Sequence, residues 1–171
     1  MLAYLGMLAA MGVVLAALRP VNLWNLRISF TFLPIAVAAI LFGPTSAALL
    51  GALIDVLGAL LFPSGVFFPG YTLTAMVQGL IYGLFLYERP DGDREPAPRR
   101  ELLRVIGAVL VYTLVCSLGL NTLWISVTSG SPFLPLLSTR LLQAAVMTPV
   151  QLAVIVLLRP VLVRLRGKLK L

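Results

Sequence analysis

The 171-residue chain predicts an all-α membrane protein: six transmembrane helices in one bundle, with the N and C termini in the cytoplasm. Three observations carry that prediction. Sixty per cent of the residues are apolar and only 11% charged, with a mean hydropathy of +1.04, more apolar surface than a soluble core uses. Apolar runs of roughly 20 residues, the length a helix needs to cross the hydrocarbon, recur along nearly the whole chain. The basic residues behind the net charge of +7 flank these runs, which fits membrane topology and argues against nucleic acid as a partner. The length fits one membrane domain over residues 1–171, with no place for an appended catalytic or nucleotide-binding domain.

Composition also bounds the chemistry. Histidine is absent and Cys116 is the sole cysteine, so an intrachain disulfide, a histidine metal site and Ser-His or Cys-His catalysis are excluded. No enzyme activity and no cofactor are expected. The first run, Met1 to Leu18, has no basic segment before it and meets Arg19 after it, so it reads as a retained helix, not a cleaved signal.

The first helix is expected over about Ala3–Leu18. Ala3, Gly6, Ala10, Val13 and Ala17 place a row of mostly small side chains along one face, with a second small pair, Gly12 and Ala16, further round. Spacing alone leaves internal packing and partner docking both open. A polar connector with Arg19 and Arg27 leads into a second helix, about Ile28–Phe42, with Pro34 as an expected kink. Gly43-Pro44-Thr45 turns the chain into a third helix, about Ser46–Leu61. Its glycines and alanines imply close packing on more than one side. The fourth is expected over about Tyr71–Tyr87, followed by a solvated linker, about residues 88–101, rich in charge, Pro and Gly. The fifth runs from about Leu102 to Leu118, then an uncharged loop to Pro132, and the sixth from about Leu136 to Leu158 with Pro149 inside it. A basic tail, about residues 159–171, closes the chain.

Lys and Arg set the orientation. In a six-span arrangement the 88–101 linker, Arg104 and the tail fall on one side with ten of the 13 basic residues, which places that side and both termini in the cytoplasm. The remaining three, Arg19, Arg27 and Arg140, fall on the outer side against that bias. A guanidinium forks onto carboxylates, so Arg27 and Arg140 suit an anionic solute arriving from outside, with lipid phosphate or backbone carbonyls as the alternative. Aromatic residues gather on the same side. Tyr71 beside Thr72, and Trp124 beside Asn121 and Thr122, pair a flat ring with hydrogen-bonding groups, as a planar heteroaromatic ligand requires.

Asp55 is the acidic residue within an apolar run, where an ionisable group costs at least ~2.5 kcal/mol, so it should face a cavity or a partner. It suits the edge of an amino-substituted ring, or a salt bridge with Arg27 or Arg140. The segment Phe68-Pro69-Gly70-Tyr71-Thr72 after it suits a wall or lid. No phosphate-binding loop, acidic relay or inverted repeat supplies energy, which favours a transporter subunit driven by partners.

The runs Leu26–Pro34, Leu41–Pro44, Asp55–Pro63 with Phe68–Thr72, and Leu120–Trp124 closely resemble the folate-specific substrate-binding (S) components of energy-coupling factor (ECF) transporters. The resemblance spans about Leu5–Leu158. It implies a multi-pass protein of the bacterial cytoplasmic membrane that binds folate or a related pterin vitamin with high affinity. Its partners would be a transmembrane scaffold subunit and two ATPases that energise delivery inward, with the protein toppling as it docks. The pocket would open outward, and the family's small-residue docking motif on the first helix would fall on Gly6 and Ala10. Two carboxylates of folate's glutamate end would meet arginines. The pterin would offer its amino-oxo edge to Asp55 or Asn121 and its face to Tyr71 or Trp124. The alternatives are an S component for another vitamin or a modified-base precursor, and, in a different class, a non-transport assembly protein.

Overall fold

The computed structural model describes residues 2–17, 30–62, 68–87, 98–130 and 133–169. It has α1 (Leu2–Ala17), α2 (Phe32–Phe42), α3 (Pro44–Leu61), α4 (Pro69–Leu86), α5 (Pro98–Tyr112), a π-helical stretch Thr113–Leu120, α6 (Asn121–Ser129) and α7 (Phe133–Leu169). Because α5, the π-helical stretch and α6 run on without a break, the described residues form six helical rods. Pro44–Leu61, Arg99–Ser129 and Leu136–Leu165 are long and apolar enough to cross a membrane, and Ala3–Ala17 and Phe32–Phe42 are shorter apolar helices.

The turn between α2 and α3 is a single residue. Gly43 takes φ 89°, a conformation open to glycine and strained for residues with a Cβ, and Pro44 opens α3 at its first position, where no amide hydrogen is needed. Pro34 does not kink α2 as expected. It lies in the first turn, after Phe32 and Leu33, where its missing N–H has no carbonyl to serve.

α3 and α4 are the closest pair. A Cβ on Gly79 would lie 2.6 Å from the Ala48 amide nitrogen, one on Gly83 2.6 Å from the Pro44 nitrogen, and one on Gly51 3.1 Å from the Ala75 carbonyl carbon. Backbone therefore meets backbone along this seam, as small residues permit in a membrane where no hydrophobic force draws helices together. The two small faces of α1 part company. Gly12 packs against Ile54 and Ala16 against Gly58, whereas Gly6 and Ala10 are exposed and nothing lies within 4 Å of a Cβ built on Gly6.

Two boundaries differ from expectation. The loop expected after Leu118 is helical as far as Ser129, and the helix ends at Gly130 with a left-handed φ of 64°. Its polar residues turn back onto their own helix: Thr128 donates to the Trp124 carbonyl at 2.8 Å and Ser129 to the Ile125 carbonyl at 2.6 Å. They therefore need neither water nor a loop. The expected tail is likewise helical, α7 continuing through Pro160 to Leu169. Arg159, counted with that tail, is only 2% exposed and its Nη1 donates to the Glu101 carbonyl at 3.0 Å, tying α7 to the start of α5.

Candidate functional site: a polar cavity at one end of the bundle

A cavity of about 720 Å³ opens at the end of the bundle where α1, α3 and α6 finish and α2, α4 and α7 begin. That volume lies within the ordinary range for small-molecule sites. Ala16, Phe32, Ile35 and Ile54 give it apolar walls, and polar side chains converge on it from α3, α4, α5 and α7.

Five residues expected at a binding site line this cavity: Asp55, Phe68, Tyr71, Asn121 and Arg140. Asp55 is held by a neighbour on α4, the Thr72 hydroxyl donating to Oδ2 at 2.7 Å. An ionised carboxylate accepts at about four lone-pair sites, so one short bond fixes the group and leaves most of its capacity facing the cavity. Arg140 is half-buried and its Nη1 donates to Gln143 Oε1 one turn along α7 at 3.0 Å. Among the described residues, Asp55 and Arg140 share the cavity lining without the direct ion pair weighed from sequence.

Other expected residues stand behind the lining. Trp124 packs on Phe68 with ring centroids 5.3 Å apart, and its indole Nε1 donates to Thr74 Oγ1 at 3.1 Å. Thr74 in turn donates to the Gly70 carbonyl at 3.0 Å. A Cβ on Gly70 would lie 2.7 Å from Trp124, so glycine there lets the indole close on the start of α4. Phe68 also meets Tyr71 edge to face at 6.2 Å. Trp124 thus braces an aromatic wall that Phe68 and Tyr71 present to the cavity. Thr122 is fully buried and donates to the Ser117 carbonyl at 3.5 Å, and Pro69 is exposed at the first position of α4. Arg27 lies outside the described residues.

Sequence reasoning missed the floor. Gln78, Tyr112, Thr113, Thr148 and Gln151 line it, and the fully buried Tyr82 sits directly against it. Tyr82 and Tyr112 pack with centroids 5.5 Å apart, and Thr113 and Thr148 share a hydrogen bond of 3.3 Å. The π-helical stretch begins at Thr113. Its wider turn carries Thr113, Ser117 and Asn121 along one cavity-facing line, in keeping with the frequent use of π geometry at functional sites. Among the described residues, no group of three or more acidic or cysteine side chains comes together as a metal site would need.

Among the described residues the cavity lining holds one cation and one anion, an aromatic wall and an amide-bearing floor, which suits a polar, partly aromatic organic solute. The family described as the substrate-specific component of ECF transporters matches residues 1–159. The chain belongs to that family. It is 34% identical over 152 residues to the folate transporter FolT of Clostridium novyi (strain NT), covering 89% of this chain and 83% of the relative. It is 31% identical over 155 residues to the folate transporter FolT of Leuconostoc mesenteroides, covering 88% and 79%. Among solved structures, one described as FolT bound with folic acid superposes with a TM-score of 0.77 at 33% identity, covering 90% of this chain and 89% of that one. As an ECF substrate-specific component the chain is an integral plasma-membrane protein that contributes a substrate site to a transporter, and it is not an enzyme.

Proposed function

We propose that this protein binds folate from outside the cell with high affinity and delivers it inward as the substrate-specificity subunit of an ATP-driven ECF transporter. The observation that carries this reading is the cavity: it joins a cation, a carboxylate, an aromatic wall and an amide floor in one space sized for a small molecule. The similarity to relatives named as folate transporters and to a structure holding folic acid supports the same ligand. Energy comes from the partners, a transmembrane scaffold subunit and two ATPase subunits.

The ligand lies along α7. Arg140 and Gln151 are eleven residues apart on that helix, about 16 Å along its axis, a separation suited to a long ligand charged at one end and flat at the other. The glutamate carboxylates lie toward Arg140, with Arg27 as a second cation. The pterin lies deeper, its face against the aromatic wall of Phe68 and Tyr71 and its polar edges toward Asp55, Asn121 and the floor. The cavity end faces outward and both termini face the cytoplasm, following the Lys and Arg distribution. The exposed Gly6 and Ala10 face of α1 meets the scaffold, where small side chains allow close approach.

The test is a titration of purified protein, without ATP or partner subunits, against folic acid and a panel of other vitamins. Saturable binding of folic acid, read by calorimetry or by Trp24 and Trp124 fluorescence, is expected. Saturable binding of a different vitamin in its place would assign the protein to a sister component, and no saturable ligand would leave a purely structural membrane protein.

A further inference from the structure

Arg140 and Arg159 stand nineteen residues apart on α7, about 28 Å along its axis, close to the roughly 30 Å of hydrocarbon in a bilayer. The two arginines thus mark the two membrane boundaries. Past Arg159 the helix does not stop: residues 160–169 continue it for about 15 Å, through the headgroup layer at the end of the bundle opposite the cavity. The start of α5 lies beside this extension, because the buried Arg159 donates to the Glu101 carbonyl at 3.0 Å.

Charge is crowded there in a way that helices on their own disfavour. Arg99 and Arg100 occupy the first turn of α5, where the amide hydrogens of the helix end are already positive, and Arg100 and Arg104 stand four residues apart on one face. Both arrangements are unfavourable unless an anion lies close. Among the described residues of this end the acidic side chain is Glu101, which can neutralise one of the five arginines Arg99, Arg100, Arg104, Arg159 and Arg164. Retention of positive charge on one side of a membrane accounts for which end holds them, but not for their crowding onto one helix start and the helix beside it. All but Arg159 are exposed, and exposed Leu102, Leu103, Val161, Val163 and Leu165 lie among them. An acidic protein surface supplies negative charge alone, whereas a phospholipid supplies phosphate and hydrocarbon together, which matches a surface of arginines interleaved with leucine and valine.

We propose that the start of α5 and the extension of α7 form a binding site for anionic phospholipid headgroups, with Arg100, Arg104 and Arg164 as the phosphate contacts. Lipid bound there neutralises the crowded arginines and ties the two helices together beyond the single Arg159 bond. The site is independent of whatever occupies the cavity at the other end.

The experiment titrates the purified protein in detergent with dioleoyl phosphatidylglycerol and, separately, with zwitterionic dioleoyl phosphatidylcholine, and follows the melting temperature. A saturable rise of about 3–6 °C at a tenfold excess over Kd is expected for phosphatidylglycerol and not for phosphatidylcholine, and salt is expected to weaken it. The triple variant Arg100→Gln/Arg104→Gln/Arg164→Gln is expected to lose that rise, and the same three positions changed to Lys to keep it. Equal rises with both lipids overturn the inference, as does a rise that the Gln variant retains. The same rise with inorganic phosphate also overturns it, since the site would then take free anions. A Gln variant that keeps the lipid response but no longer co-purifies with partner subunits would give the surface to an acidic protein instead. Should the Gln variant melt early on its own, native mass spectrometry of the wild type decides: preferential retention of phosphatidylglycerol supports the site, and equal retention of the two lipids overturns it.

Discussion

At the residue scale, the cavity separates charge from aromatic surface. Arg140 is oriented by Gln143 and lines the cavity eleven residues before the floor glutamine Gln151, so in the proposed pose its guanidinium meets the charged end of a ligand whose ring lies below. A charge-assisted hydrogen bond is roughly twice as strong as a neutral one, and Arg140 is half-buried, where its loss is less readily compensated by water. Arg140→Ala is therefore expected to weaken folic acid about tenfold or more and a bare pterin much less, measured as paired Kd values; equal losses would remove Arg140 from the carboxylates. Asp55 gives a second case. Its side chain is aimed by Thr72 across the α3–α4 seam, so Thr72→Val should leave the carboxylate in place but free to rotate. The expected loss in folic acid affinity is about three- to tenfold with little change in melting temperature. An unchanged Kd would mean that Asp55 serves the fold and not the ligand.

At the element scale, the α3–α4 seam bears the site, because Asp55 stands on one helix and Phe68, Tyr71 and Gln78 line the cavity from or beside the other. Where Gly79 meets Ala47 and Ala48, any side chain must push backbone against backbone. Gly79→Ala is expected to destabilise the protein by about 1–3 kcal/mol, seen as a lower melting temperature in detergent. Gly6→Leu, placed where nothing lies within 4 Å, should leave melting and folate binding unaltered and impair only co-purification with the scaffold subunit. The helices themselves were legible because a bilayer sets their length, and the small residues of α3 announced its close packing. Their ends were less so. The Gly, Ser and Thr content of residues 119–129 resembles a loop in water, but within a bundle such side chains bond back to their own helix, as Thr128 and Ser129 do. The segment expected as a basic tail from about residue 159 is part of α7 as far as Leu169. At the site, Asp55 and Arg140 stood out because charge is rare in apolar runs. Tyr82 and Gln151 did not, since a helix apolar on every side gives no period by which to tell an inward polar group from an outward one.

At the scale of the whole molecule, the reading depends on which end of the bundle faces out. The cavity end holds Arg140 among the described residues, whereas the opposite end carries Arg99, Arg100, Arg104, Arg159 and Arg164 on α5 and α7. Cytoplasmic retention of Lys and Arg acts on short loops and helix ends, so this asymmetry supports the proposed orientation, with the cavity outward and both termini inward. A membrane-impermeant thiol reagent tests it on the native background, because Cys116 is fully buried and should stay silent. Ser64→Cys, between α3 and α4, is expected to label in intact cells, and Asp93→Cys, between α4 and α5, only in inverted membrane vesicles. The reverse pattern would turn the cavity toward the cytoplasm, where it could collect no folate from outside, and capture from the exterior would have to be abandoned even if the purified protein bound folic acid tightly.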